Sequence, residues 1–302
     1  MTHMIKPFTL TRTTYTFLFA TASLCLAVLI TINVPPFIGM PVEAKELAVF
    51  PAPIALPAED LAAKAAVLYD PTTGQILFAK NATEPLALAS LTKLMTAQTI
   101  LAQTSERQIV TITSQNLRPE GDWGLRPGEM WSVEQLLRFG LVASANDAMA
   151  AAADAVGPTI IDEMNRTAKV LGLSQTHFSN PTGLDLDLET AGAYGSAYDV
   201  ALLVTSFIQR YPTLFGATAK PSVTITSGDV LLNATSTDTP LLDIPGLVGA
   251  KTGYTDLAGG NLIAVFDIEI GHPLIAVVLG STREKRFEDI RALVVAVRSN
   301  GK

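Results

Sequence analysis

The 302-residue chain has a single cysteine, which excludes an intrachain disulfide and a cysteine-based zinc site. Its three histidines, His3, His177 and His272, are far apart and lack the HxxxH-type spacing of a helical metal site. Basic residues are in deficit, with 21 Lys and Arg against 28 Asp and Glu and a formal charge of −7. A nucleic-acid binder carries a basic face, so no nucleic-acid partner is expected. With 21 Gly and 18 Pro and no internal repeat, the chain is not collagen-like or of low complexity. Charged residues make up only 16% and hydrophobic residues 48%, and the mean hydropathy is +0.34. Those values exclude a disordered charged tail. The length fits one large domain or two small ones.

Charge is entirely missing from residues 13–42, which accounts for part of the high hydropathy. Lys6 and Arg12 precede this stretch, Glu43 follows it, and residues 17–32 are nearly all apolar. A basic flank followed by an apolar run describes a secretory signal peptide or a signal anchor; a buried core helix is the competing reading. Val42 and Ala44 are small residues suited to a cleavage site after Ala44. The length of the run approaches a bilayer span and favours retention in the membrane. Cys25 follows Leu24, a poor fit to a lipoprotein site. Residues 1–44 are therefore expected to be a signal peptide or signal anchor. Residues 45–61, with Pro51, Pro53 and Pro57, are expected to be a linker, and residues 62–302 a folded domain outside the cytoplasm.

In that domain, apolar runs at 65–69 and 75–79 flank Asp70-Pro71-Thr72-Thr73-Gly74 and predict a hairpin. Helices are predicted over 91–103, 133–142, 147–156, 159–171 and 196–209, the last with Ser196 as N-cap. A second hairpin is predicted around Thr226-Ser227-Gly228-Asp229. Strands follow at 247–252, 261–266 and 274–279, with a closing helix over 287–298. Strands at both ends and helices between them predict an α+β fold. Its largely antiparallel sheet is flanked by helices, with a helical subdomain inserted in the middle.

Three short motifs carry chemistry. In Ser90-Leu91-Thr92-Lys93, residues three apart on a helix share a face, so the Ser90 hydroxyl and the Lys93 amine can meet. A serine needs a nearby base to become a nucleophile, and a lysine becomes a base when burial lowers its pKa. A helix N-terminus also offers backbone N–H groups to an oxyanion. The bland reading is a serine cap with a surface lysine. Ser144-Ala145-Asn146 lies between two helical stretches, where a hydroxyl can relay a proton and an amide can hold a carbonyl or the lysine; helix capping is the alternative. Lys251-Thr252-Gly253 ends a strand-like run and can receive a carboxylate, with Gly253 allowing close backbone approach; the alternative is a turn with a solvated lysine.

The order SxxK, SxN, KTG resembles the penicillin-binding, serine-type D-Ala-D-Ala carboxypeptidases of low molecular mass. Asn180-Pro181-Thr182-Gly183-Leu184-Asp185, Ser196-Ala197-Tyr198-Asp199 and Gly249-Ala250-Lys251-Thr252-Gly253-Tyr254-Thr255 also look like segments of that family. The resemblance spans roughly residues 62–299 and implies a β-lactamase/DD-peptidase-like fold. It implies a peptidoglycan stem peptide as substrate, with Ser90 as nucleophile, Lys93 as general base and Ser144 as proton relay. Asn146 would position the peptide. Lys251 and Thr252 would bind the terminal carboxylate, and the amides of Ser90 and Tyr254 would form an oxyanion hole. Arg286 matches a family arginine that assists carboxylate binding, although Arg283 and Lys285 nearby also suit a surface charge cluster. β-Lactam antibiotics would acylate Ser90 as inhibitors. No cofactor and no metal are implied.

The resemblance has departures. Many relatives continue into a β-rich domain and a C-terminal amphipathic helix, whereas this sequence stops at Lys302. The N-terminal segment is then the expected membrane attachment, on the extracytoplasmic face. Cleavage would release the domain to the periplasm or cell wall. A DD-endopeptidase cutting crosslinks uses the same residues, and a β-lactam-binding sensor without turnover is a further alternative. Residues 186–195 and Gly121-Asp122-Trp123-Gly124 are expected to shape the cleft. There is no Glu-x-x-Leu-Asn segment of the kind class A β-lactamases use, so rapid β-lactam hydrolysis is not expected.

Overall fold

In the computed structural model of the chain, the two runs around Asp70 fold back as β1 (Ala65–Asp70) and β2 (Gln75–Lys80). Asp70 Oδ1 accepts hydrogen bonds from the Thr72 and Thr73 amides, which tightens the turn. The structure describes residue 54, residues 56–121 and residues 123–300. The expected signal or anchor, residues 1–44, and most of the expected linker lie outside the described residues.

The chain continues through β3 (Leu86–Ala87), a 3-10 turn (Ala89–Leu91) and helix α1 (Thr92–Gln103). Next come β4 (Ile109–Thr111), β5 (Met130–Ser132), α2 (Val133–Val142), α3 (Asn146–Ala153) and α4 (Ile160–Val170). Then follow β6 (His177–Phe178), β7 (Ala193–Gly195), α5 (Ala197–Arg210) and α6 (Pro212–Gly216). The hairpin β8 (Ser222–Ser227) and β9 (Val230–Thr235) leads to β10 (Leu247–Thr255), β11 (Gly259–Glu269), β12 (His272–Ser281) and α7 (Lys285–Asn300).

The first and last strands meet. The five-stranded antiparallel sheet runs β10-β11-β12-β1-β2, with β1 paired to β12. β1 is buried at all six positions, so it reads as a continuous apolar run rather than an alternating one. In β11 the alternation survives as two cores. Ile263 and Val265 join the helical layer formed by α1 to α5, whereas Leu262, Ala264 and Phe266 pack with Ile290, Leu293 and Val294 of α7. The sequence order of β2, then α1 to α6, then β10 makes the helical part an insertion in the middle of an α+β fold.

Local chemistry explains several boundaries. Ser132 and Ser196 each accept a hydrogen bond from the third residue of their helices, Gln135 and Asp199. α3 ends at Ala153, three residues before the predicted 156, and the chain then turns at Gly157 with φ 83°. The short pairs β4–β5 and β3–β7–β6 have two or three residues per strand, too few for a period-two pattern to register. Part of the expected linker is packed rather than extended: Ile54 and Leu61 are buried in the α7-side core, because both are large apolar side chains at its edge.

Candidate active site

Ser90 does not stand within α1, as its sequence context suggests, but in the 3-10 turn just ahead of it. The preceding residue, Ala89, has φ 48°, in the left-handed region. This turn is clamped from two sides. The buried Asn261 amide donates to the Ala87 carbonyl at 2.8 Å, and its Oδ1 accepts from the Gly280 amide at 2.8 Å. Gly183, at φ 81°, lies where any Cβ would run into the Ala89 carbonyl. Gly253 is bare for a similar reason: a Cβ there would sit 3.0 Å from the Leu88 carbonyl oxygen and 3.2 Å from the Ser90 nitrogen. The glycine expected to admit a substrate backbone thus first admits the turn that carries Ser90.

Lys93, on the first turn of α1, is fully buried. Its Nζ lies 2.6 Å from Ser90 Oγ and donates to Asn146 Oδ1 at 2.6 Å and to the Thr182 carbonyl at 3.1 Å. Asn146 is held by its other end, where Nδ2 donates to the Glu120 carbonyl at 2.6 Å. The Thr182 carbonyl is presented by a loop built on Asn180, whose Oδ1 accepts from the amides of Thr182 and Gly183. Burial, and then the charge of Lys251, push the Lys93 amine well below the ordinary lysine value; the Asp147 carboxylate opposes this.

Ser144 sits between α2 and α3 with φ 58°, the second non-glycine left-handed residue beside the site. Its Oγ accepts from Lys251 Nζ at 2.9 Å. Lys251, fully buried on β10, also donates to the Thr252 carbonyl at 2.9 Å. Its amine is lowered to about 8, chiefly by burial; Asp238 opposes this and Arg286 adds to it. Thr252 Oγ1 lies 2.7 Å from Thr237 Oγ1. Tyr254 is 39% exposed, and the Arg283 guanidinium stands 4.1 Å from its ring centroid. Arg286 is only 8% exposed and its Nη1 donates to the Gly253 carbonyl at 2.7 Å, so it is not part of a surface cluster.

β10 is an edge strand, and its outward amides repeat with period two. The Ala250 amide donates to Thr218 Oγ1 at 3.0 Å and the Thr252 amide to Asp238 Oδ1 at 2.9 Å. The Tyr254 amide is next in that series, on the edge that faces the Ser90 turn.

Several neighbours of the site were not visible in the motifs. Asp238, Thr237, Asn261 and the carbonyl of Glu120 reach it from distant positions, and single-sequence spacing carries no signal for them; Thr182 belongs to the 180–185 segment already singled out in the sequence. Asp147 follows Asn146 directly, and its Oδ2 accepts from the Trp123 amide at 3.1 Å. That bond holds Trp123, and Gly121 likewise lies next to the Asn146 amide; both belong to a segment singled out in the sequence. Among the described residues no group of three or more His, Cys, Asp or Glu is arranged to hold a metal ion, and no helix is long and apolar enough to cross a membrane.

The sequence profile of the D-alanyl-D-alanine carboxypeptidase family, Peptidase S11, matches residues 52–283. D-alanyl-D-alanine carboxypeptidase DacF of Bacillus subtilis is 35% identical over 240 residues, covering 74% of this chain and 58% of the relative. The chain thus spans about three fifths of that relative's length. Penicillin-Binding Protein D2 of Listeria monocytogenes, in its ampicillin-bound form, superposes with a TM-score of 0.70 at 34% identity, covering 80% of this chain and 99% of the other. A D-alanyl-D-alanine carboxypeptidase of Mycobacterium tuberculosis shares the fold, with a TM-score of 0.74 at 24% identity over 81% of this chain and 94% of the other. The chain belongs to the D-alanyl-D-alanine carboxypeptidase family, Peptidase S11.

Proposed function

We propose that the protein is a serine DD-carboxypeptidase that removes the terminal D-alanine from peptidoglycan stem peptides through an acyl-enzyme. The observation that carries this reading is the buried Lys93 amine 2.6 Å from Ser90 Oγ, with its pKa lowered. A neutral amine has two N–H groups and one lone pair. Asn146 Oδ1 and the Thr182 carbonyl accept the two N–H groups, which leaves the lone pair for the Ser90 proton.

Ser90 Oγ attacks the carbonyl carbon of the penultimate D-alanine while Lys93 takes the hydroxyl proton. Negative charge grows on the carbonyl oxygen, where the Ser90 amide and the edge amide of Tyr254 donate to it. Lys251 is the natural electrostatic partner of the substrate's terminal carboxylate, because a buried amine lowered only to about 8 is still charged at neutral pH. Thr252 Oγ1 donates to the same carboxylate, and Arg286 holds Gly253 and adds positive potential. Ser144, already on Lys251, passes the proton to the departing D-alanine nitrogen as the C–N bond breaks. Water then attacks the ester, with Lys93 again as base, and frees the shortened peptide and the Ser90 hydroxyl.

A β-lactam presents a carbonyl and a carboxylate in the same relation and acylates Ser90 by the same route. The ampicillin-bound Listeria relative supports that partner. A peptidoglycan substrate requires a location outside the cytoplasm, and the uncharged run at residues 13–42 supports export and attachment to the membrane.

The test is product analysis on a stem pentapeptide and on crosslinked peptidoglycan. Free D-alanine released by the wild type and not by Ser90→Ala is the expected result. Loss of crosslinked dimers without D-alanine from the pentapeptide would replace this reading with an endopeptidase. Fluorescent-penicillin labelling of Ser90 without either product would replace it with a sensor.

A further inference from the structure

The first two outward amides on the edge of β10 end on side chains of different kinds. Ala250 meets a neutral threonine, Thr218, but Thr252 meets a carboxylate, Asp238. Asp238 is fully buried, in the loop between β9 and β10. Its Oδ1 is used by the Thr252 amide, while its buried Oδ2 has no hydrogen-bond partner among the described residues. A buried, half-satisfied carboxylate is costly unless positive charge stands near it. Two cations do so from different elements: Lys251 on β10 and Arg286 on α7, both of which act electrostatically on Asp238. The Lys251 charge in turn acts on the Lys93 amine of α1 and lowers it. Among the described residues Lys251 and Arg286 make no salt bridge with any carboxylate, so Asp238 acts on them through its charge rather than through contact.

We propose that Asp238 is a positioning residue for carboxylate recognition: it pins the Thr252 amide at the sheet edge, and its negative charge offsets the Arg286 guanidinium so that Lys251 stays charged beneath the substrate's terminal carboxylate. This rests on the carboxypeptidase reading of the same cleft. Without Asp238, Lys251 would share its buried site with Arg286 and no opposing carboxylate. The guanidinium would then disfavour the protonated form of the Lys251 amine unopposed. Burial raises the Asp238 carboxyl above its ordinary value, while Lys251, the hydrogen bonds from Thr252 and Arg286 work to keep it ionised.

The charge and the clamp separate in Asp238→Asn, which keeps an oxygen for the Thr252 amide and loses the negative charge. The measurement is kcat/KM against pH for D-alanine release from a diacylated L-Lys-D-Ala-D-Ala tripeptide, beside acylation by a fluorescent penicillin. In Asp238→Asn the alkaline limb moves down by about one pH unit, and KM rises at neutral pH by about tenfold while kcat changes little. A purely structural role for Asp238 would lower thermal stability and leave the limb where it is; that outcome overturns the proposal. Carbon-13 NMR of the Asp238 carboxyl in the wild-type protein is independent of how the variant folds. An ionised group at pH 7 is expected, and a protonated one overturns the proposal. The two readings fail differently. A wild type that neither releases D-alanine nor takes up penicillin defeats the carboxypeptidase reading. An active wild type with an unmoved limb in Asp238→Asn defeats only the role of Asp238.

Discussion

Two walls face each other across the cleft, and each buries a lysine completely: Lys93 at the start of α1 and Lys251 on the edge of β10. The same residue type at the same burial meets opposite surroundings. Around Lys93 the polar contacts are Ser90 Oγ, an amide oxygen and a carbonyl, its strongest charged neighbour is another lysine, and Asp147 opposes only as the weakest of the influences on it. Around Lys251 the opposing carboxylate, Asp238, ranks next after burial, and the amine stays at about 8. Burial alone makes a lysine a base; burial with a buried counter-charge keeps it a cation. The difference therefore lies in the neighbours and not in the lysines.

The largest test of this contrast removes the base. Lys93→Ala should slow penicillin acylation by about 10²–10⁴-fold, measured by labelling kinetics, because Ser90 then has no proton acceptor. A near wild-type rate would move the base elsewhere. Lys251→Ala should lower kcat/KM for the carboxylate-ended tripeptide by about a hundredfold, in line with the ~2–5 kcal/mol lost when one partner of a buried charge pair is removed. The same variant should be nearly indifferent to a tripeptide amide; equal losses on both substrates would mean that Lys251 serves the chemistry instead.

A smaller effect tests how the walls are joined. Gly253→Ala puts a methyl group 3.2 Å from the Ser90 nitrogen and should cost about tenfold in acylation, since the turn carrying Ser90 must give way. The gentlest probe is pH. Lys93 must be neutral, so activity falls as pH drops through its lowered value. Lys251 must be charged, so carboxylate recognition is present below its value of about 8 and is lost as pH rises through it. A limb in kcat/KM near pH 8, seen with the carboxylate-ended tripeptide and absent with the amide, is the expected profile. A shared limb would assign the titration to another group.

Much of the framework was legible in the sequence. Uninterrupted apolar periodicity marked Val133–Val142 to the residue, and the Ser196 cap marked the start of Ala197–Arg210. These are local signals, carried by neighbouring side chains and backbone amides. Ser90, Lys93, Ser144, Asn146 and Lys251 were legible as residues because the motifs are short and contiguous. Their surroundings were not. Asp238 and Asn261 carry no special spacing, and for Arg286 the sequence left a site arginine and a surface charge cluster both open until α7 turned it inward onto Gly253.

The sequence by itself determined which candidate side chains are present and in what order they follow one another. Only the tertiary structure decided what surrounds each lysine: amide and carbonyl oxygens at Lys93, and the buried charge of Asp238 near Lys251. Antiparallel pairing sets β1 against β12 and leaves β10 as the edge, and that edge brings residues more than a hundred positions apart, such as Ser144 and Lys251, to 2.9 Å. The physical reason is that a lysine's charge depends on the dielectric and the charges within a few ångströms, and those belong to the fold rather than to its sequence neighbours.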